Sequence, residues 1–108
     1  MIIFSLTFSI LLSVLNYTQT NHLKAENKDF IVYYQKSMKN SNIVMSGKII
    51  SKKEDPHIPA KFINIELVGH KTGTVTTKEG EFEFIIPVER GVLKIFFVGF
   101  TTLEIPFK

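Results

Sequence analysis

Beyond residue 42, apolar and polar side chains alternate along the chain with a period of two residues. In residues 63–67 (INIEL), three apolar side chains fall on one side and two polar side chains on the other. Because successive side chains of a β-strand point to opposite faces, this pattern predicts a half-buried strand. The pattern recurs between turn residues at 43–51, 62–68, 74–77, 81–86, 93–98 and 102–107, and no segment of this region has a helical period. We therefore predict a small all-β antiparallel β-sandwich of six strands.

The side chains expected to face inward form the predicted core. They are Ile49, Ile63, Ile65, Leu67, Val75, Phe82, Phe84, Ile86, Leu93, Ile95, Phe97, Phe100, Leu103 and Ile105. Four glycines separate the strands and are predicted to form turns, namely Gly69, Gly73, Gly80 and Gly99. At Gly80 we predict a tight hairpin between 74–77 and 81–86, with a positive φ that a side chain would penalise.

The chain before residue 43 divides into an apolar part and a polar part. Residues 1–15 are mostly apolar and uncharged, are shorter than the roughly 20 residues of a membrane-spanning helix, and suit the centre of a secretory signal peptide. A buried strand and an uncleaved anchor are the alternatives, since no basic residue precedes this run and no good A-x-A site follows it. We predict a signal peptide at 1–20, a polar linker at 21–42 with an additional strand at 29–34 as one option, and the sandwich at 43–108.

Composition limits the chemistry that the chain can perform. The absence of cysteine removes disulfides, thiolate metal sites and a cysteine nucleophile. The formal net charge is +3, but the lysines are mostly scattered singly, so we expect no nucleic-acid-binding face. The three histidines lie in separate polar stretches, and Glu79, Glu81 and Glu83 are expected to form a charged outer face. With no catalytic motif present, we expect no enzyme, metal or cofactor; sugar stacking on an outward-facing Phe96 is an alternative.

The order of several short motifs resembles a known family. These are residues 47–49 (GKI), 63–69 (INIELVG), 73–76 (GTVT), 80–82 (GEF) and 97–100 (FVGF). Together they resemble the carboxypeptidase regulatory-like domain, a transthyretin-like (prealbumin-like) domain. The resemblance implies a Greek-key β-sandwich of six to seven strands. It also implies a place in Gram-negative bacteria, either alone in surface and periplasmic proteins or ahead of the plug of TonB-dependent outer-membrane receptors.

The chain departs from this family at three points. Thr77 stands where the family usually has an aspartate whose side chain binds turn amides, and Phe100 replaces a tyrosine. Family members also usually continue into one more strand after the equivalent of residue 107. That missing strand predicts an unpaired edge. Residues 30–34 can fill it, a partner can add a strand, the chain can be a fragment of a longer receptor, or a short edge can simply be tolerated.

From these patterns we expect a non-catalytic, exported module that mediates protein–protein contacts at the cell envelope, in the periplasm, in the outer membrane or on the cell surface. The expected partner is another envelope protein, with strand addition at an open edge as one route. The alternatives are a detached N-terminal domain of a TonB-dependent receptor and a carbohydrate-binding module. We expect membrane contact only through the N-terminal segment, if it stays uncleaved.

Overall fold

The computed structural model describes residues 22–108, which form nine β-strands in two antiparallel sheets. The strands are β1 (Leu23–Glu26), β2 (Phe30–Lys39), β3 (Asn42–Ser51), β4 (Ile58–Pro59), β5 (Asn64–Leu67), β6 (Gly73–Val75), β7 (Glu81–Ile86), β8 (Gly91–Phe96) and β9 (Leu103–Phe107). This part of the chain contains no helix, and therefore none that could cross a membrane. The predicted all-β, antiparallel class is confirmed. The predicted signal peptide at 1–20 lies outside the described residues.

The first sheet is built around β3. Strand β2 pairs with one edge of β3, and β7 followed by β4 pairs with the other, while β1 pairs with the far side of β2. Strands β2 and β3 are joined at Asn40 and Ser41, whose φ angles of 53° and 67° are those of a two-residue hairpin turn. The interpretation of 21–42 as a linker is therefore wrong, and the optional strand at 29–34 lies largely within β2.

The second sheet has the strand order β6-β5-β8-β9. The predicted hairpin between 74–77 and 81–86 is wrong, because β6 pairs with β5 whereas β7 pairs with β3 in the other sheet. The turn at Gly80 thus carries the chain from one sheet to the other. Its predicted positive φ is confirmed at 80°, and a Cβ there would lie 2.5 Å from the carbonyl oxygen of Ile49. Gly69 and Gly99 also have positive φ in turns, whereas Gly73 begins β6.

The core lies between the two sheets. Its buried members are Phe30, Val32, Tyr34, Met45, Ile49, Ala60, Ile63, Ile65, Leu67, Phe82, Ile86, Leu93, Ile95, Ile105 and Phe107. Three further predicted positions, Phe84, Phe100 and Leu103, are half-buried and pack against this cluster. Strand β2 contributes three of its aromatic and β-branched side chains, so the polar segment before residue 43 completes the core.

Two predicted core residues lie on the surface. Val75 is 47% exposed, because β6 directs Thr74 rather than Val75 to the side of Ile65. Phe97 is 38% exposed, because β8 ends one residue earlier and a turn follows, in which the N–H of Phe100 donates to the carbonyl oxygen of Phe97 at 3.1 Å. At Val75 the inward face of the strand is the opposite one from that predicted, and at Phe97 the predicted alternation extends past the end of the strand.

Candidate interaction surface

The histidine and acidic side chains of residues 22–108 do not assemble into a candidate metal site. No group of three or more His, Asp or Glu side chains in this range could hold a metal ion. Of the acidic cluster expected on the outer face, Glu83 lies 3.5 Å from the Nζ of Lys39, and both side chains are largely exposed. The half-buried Phe96 has the Nζ of Lys94 5.0 Å from its ring centroid, so a cation already lies over the ring that a sugar would need.

A polar network joins two loops at one end of the sandwich. The carboxylate of Asp29 accepts a 2.6 Å hydrogen bond from the N–H of Thr101, and this bond lowers the pKa of Asp29 below its usual value. Asn27 donates to the carbonyl oxygens of Thr101 and Thr102 at 3.0 and 3.3 Å. Its side-chain oxygen accepts from the N–H groups of Asp29 and Phe30. These bonds hold the link between β1 and β2 against the link between β8 and β9.

Aromatic and charged groups strengthen the same end of the molecule. The ring of Phe100 stacks on Phe30 with 5.0 Å between centroids, and the Nζ of Lys53 lies 4.6 Å from the Phe100 centroid. Lys52 binds Glu26 at 3.0 Å, and that contact lowers the pKa of the Glu26 carboxyl. The polar groups of this network bond to one another, which fits a role in holding the loops in place.

Backbone groups without strand partners in residues 22–108 occur along the outer edge of β7. The N–H of Ile49 donates to the carbonyl oxygen of Gly80 at 2.8 Å, and the same register continues along β3 and β7. Because hydrogen-bonded and non-hydrogen-bonded pairs alternate in an antiparallel ladder, the N–H and C=O groups of Glu83 and Ile85 point away from β3. Within the described part of the chain, β3 is the only strand that pairs with β7.

Strand β6 has an equivalent outer edge. The N–H of Leu67 donates to the carbonyl oxygen of Thr72, and the N–H of Thr76 donates to the carbonyl oxygen of Ile63. The residues between them with the opposite orientation, Gly73 and Val75, therefore direct their backbone groups away from β5. Among residues 22–108, only β5 pairs with β6.

These two edges lie on the same side of the sandwich, since β6 and β7 approach each other across the gap between the sheets. One depression is lined by Val75, Thr77 and Glu83, and a second by Thr72, Glu83 and Ile85. The side chain of Ile85 is 55% exposed. We call this side, formed by the outer edges of β6 and β7, the open flank. Unpaired strand edges are the places where extended polypeptide segments can bind through main-chain hydrogen bonds.

Two threonines stabilise the segment between β6 and β7, in which the chain passes from the second sheet to the first. The hydroxyl of Thr76 is fully buried, accepts from the N–H of Ile63 at 2.8 Å and donates to the carbonyl oxygen of Ala60 at 2.7 Å. The hydroxyl of Thr77 accepts from the N–H groups of Glu79 and Glu81 at 3.3 and 3.2 Å. Thr77 thus binds turn amides with its hydroxyl, although it stands where the sequence resemblance implies an aspartate.

Sequence reasoning missed both the open flank and Thr76. The predicted hairpin would have paired 74–77 with 81–86, which hides both edges. One available signal was the absence of proline and lysine from 81–86, since these residues commonly protect exposed edges. Comparison with protein-family models, with curated proteins and with solved structures finds no significant match to this chain.

Proposed function

We propose that this protein is a non-catalytic β-sandwich module that acts by binding another protein of the bacterial cell envelope. The observation that carries the proposal is the open flank, where the outer edges of β6 and β7 lie on one side of the sandwich and the side chains of Val75 and Ile85 are exposed. Edges of this kind favour pairing with a further polypeptide strand. We further propose export to the periplasm, the outer membrane or the cell surface, on the basis of the apolar residues 1–15.

We also propose that the sandwich has the Greek-key, transthyretin-like topology of carboxypeptidase regulatory-like domains. The path of the chain supports this proposal. After β3 in the first sheet, the chain forms β5 and β6 in the second, returns to the first for β7, and ends with β8 and β9 in the second. Strands that are consecutive along the chain therefore divide between two packed sheets, as they do in Greek-key sandwiches.

Site-specific photo-crosslinking in intact cells that produce the protein tests the proposed function. A photoreactive residue replaces Ile85 on the open flank, and a matched control replaces Leu23 on β1, which is 57% exposed against 55% for Ile85. We expect one adduct of defined mass from Ile85 and none from Leu23. A third position, the 87% exposed Val98, lies in the loop between β8 and β9.

The outcomes of this experiment separate the possibilities. An adduct from Leu23 or Val98 alone would retain a protein-binding module but would move its surface away from the open flank. No adduct from any of the three positions, in cells that contain the folded protein, would refute the proposed function. Mass spectrometry of the adduct identifies the partner.

A further inference from the structure

We infer that the outer edge of β7 binds an extended segment of the partner by strand addition, with a basic residue of that segment opposite Glu83 and an apolar residue opposite Ile85. This inference rests on the proposed function and specifies the strand edge and the chemistry of the partner. The backbone supplies two N–H and two C=O groups, those of Glu83 and Ile85, which point away from β3.

Strand β7 is the least protected edge of the described fold. Strand β9 carries Pro106, which has no N–H to offer, and β4 has two residues, one of them Pro59. Strand β6 is three residues long, and β1 is four residues long and carries Lys24 and Glu26. Strand β7 has six residues and contains no proline and no lysine. Because β7 is the longest of these edges and has no proline or lysine, it is the edge best able to accept another strand, and its own charged residues, Glu81 and Glu83, favour a basic partner.

The side chains of β7 select the partner. Opposite Glu83 on β3 lies Ser46, which carries no charge, and within residues 22–108 Glu83 forms an ion pair with Lys39 at 3.5 Å. Such an exposed pair contributes little, so a basic residue arriving on the open side gains an opposite-charge cross-strand contact. An acidic residue at the same position would be repelled. The exposed side chain of Ile85 lies beside the buried Val44 and would be covered by an apolar neighbour.

A synthetic peptide, acetyl-Thr-Val-Thr-Lys-Thr-Val-Thr-amide, tests this inference. Its central lysine can lie opposite Glu83, and the valines two residues away on either side share the face of the lysine, so that one of them lies opposite Ile85. The matched control peptide has glutamate in place of lysine. Amide hydrogen exchange of the protein is followed by NMR. At nine-tenths occupancy by the lysine peptide we expect exchange at Glu83 and Ile85 to slow about tenfold, because only the unbound tenth exchanges freely. The amides of Phe82 and Phe84, which already bond to β3, should change little.

Two pairs of variants complete the test. Glu83→Lys should reverse the preference between the two peptides, whereas Glu104→Lys, the same charge change on β9, should leave it unaltered. Ile85→Pro removes an N–H that points away from β3 and should abolish binding, whereas Glu104→Pro on the outer side of β9 should not. If Ile85→Pro fails to fold, the Glu83→Lys result decides.

Three results would overturn the inference. They are an unchanged peptide preference in Glu83→Lys, exchange at Glu83 and Ile85 unaffected by saturating lysine peptide, and a concentration-dependent dimer in sedimentation that protects these amides through a second copy of the chain. A crosslinked partner at Ile85 combined with any of these results would leave the proposed function standing and refute only the strand-addition chemistry.

Discussion

Replacing Thr76 with valine removes one buried hydroxyl while keeping the shape and β-branching of the side chain. In the native protein this hydroxyl accepts the N–H of Ile63 at 2.8 Å and donates to the carbonyl oxygen of Ala60 at 2.7 Å. The side chain is fully buried, so water cannot take over either bond without a structural change. Thr76→Val therefore leaves one donor and one acceptor of the backbone without these partners.

The expected loss follows from those two groups. An unsatisfied buried polar group costs about 1–3 kcal/mol, so we expect Thr76→Val to lower the free energy of unfolding by about 2–4 kcal/mol. For a domain of this size that corresponds to a fall in Tm of roughly 10–20 °C. Thr76→Ser keeps the hydroxyl and loses one methyl group, for which we expect about 1 kcal/mol. Thr77→Val, at an exposed position with longer hydrogen bonds, should cost less than about 1 kcal/mol.

Urea unfolding followed by circular dichroism measures all three variants, and equal m-values are required for the comparison. The expected order of destabilisation is Thr76→Val, then Thr76→Ser, then Thr77→Val. If Thr76→Val were no less stable than Thr76→Ser, the hydroxyl would not stabilise the chain crossing, and the reasoning from buried hydrogen bonds would be refuted.

Three more predictions concern the turn at Gly80 and the loops that contain Asp29 and Phe100. Gly80→Ala should cost about 1–3 kcal/mol in urea unfolding, and more than Gly69→Ala, because both have positive φ but only at Gly80 would the new Cβ meet the backbone. The pKa of Asp29 is lowered in the folded state, so its ionised form stabilises the fold above the unfolded pKa, and this contribution is lost as pH falls. We therefore expect Asp29→Asn to be less stable than the native protein at neutral pH and to lose less stability between about pH 5 and pH 2. An unchanged dependence of stability on acid pH would contradict this prediction. Phe100→Leu should lose about 1 kcal/mol of stacking on Phe30, as read from the urea midpoint.

The sequence predicted best where the two-residue alternation runs through a whole strand. Ile63, just before β5, and Ile65, Leu67, Leu93 and Ile95 in β5 and β8 are all buried as expected, because polar residues at the intervening positions leave only one face that can be buried. A register shift by one residue would expose every one of them. The prediction needed no knowledge of which strands are neighbours.

The prediction failed where the outcome depends on distant strands. The polar second half of β2 predicts a linker, and only residues 29–34 are predicted as an optional strand, yet the full length of β2 pairs with β3 and Phe30, Val32 and Tyr34 are buried in the core. The turn at Asn40 and Ser41 is a two-residue hairpin between two alternating runs, a signal that was present in the sequence. Local pattern gives the faces of a strand, but it does not give the strand's partner.

The same limitation explains why the open flank was missed. Two strands joined by a short turn either pair with each other or separate into different sheets. If β6 and β7 paired with each other, their outer edges would be hydrogen-bonded to each other. No backbone group between the two strands would then remain without a partner. In the structure β6 pairs with β5, and β7 pairs with β3. The outer edges of β6 and β7 therefore remain unpaired on the side where the chain passes from one sheet to the other. The buried hydroxyl of Thr76 fixes that crossing from within. The split between sheets is therefore what creates the surface to which we assign binding, and disrupting the crossing should disturb the fold and the partner site together.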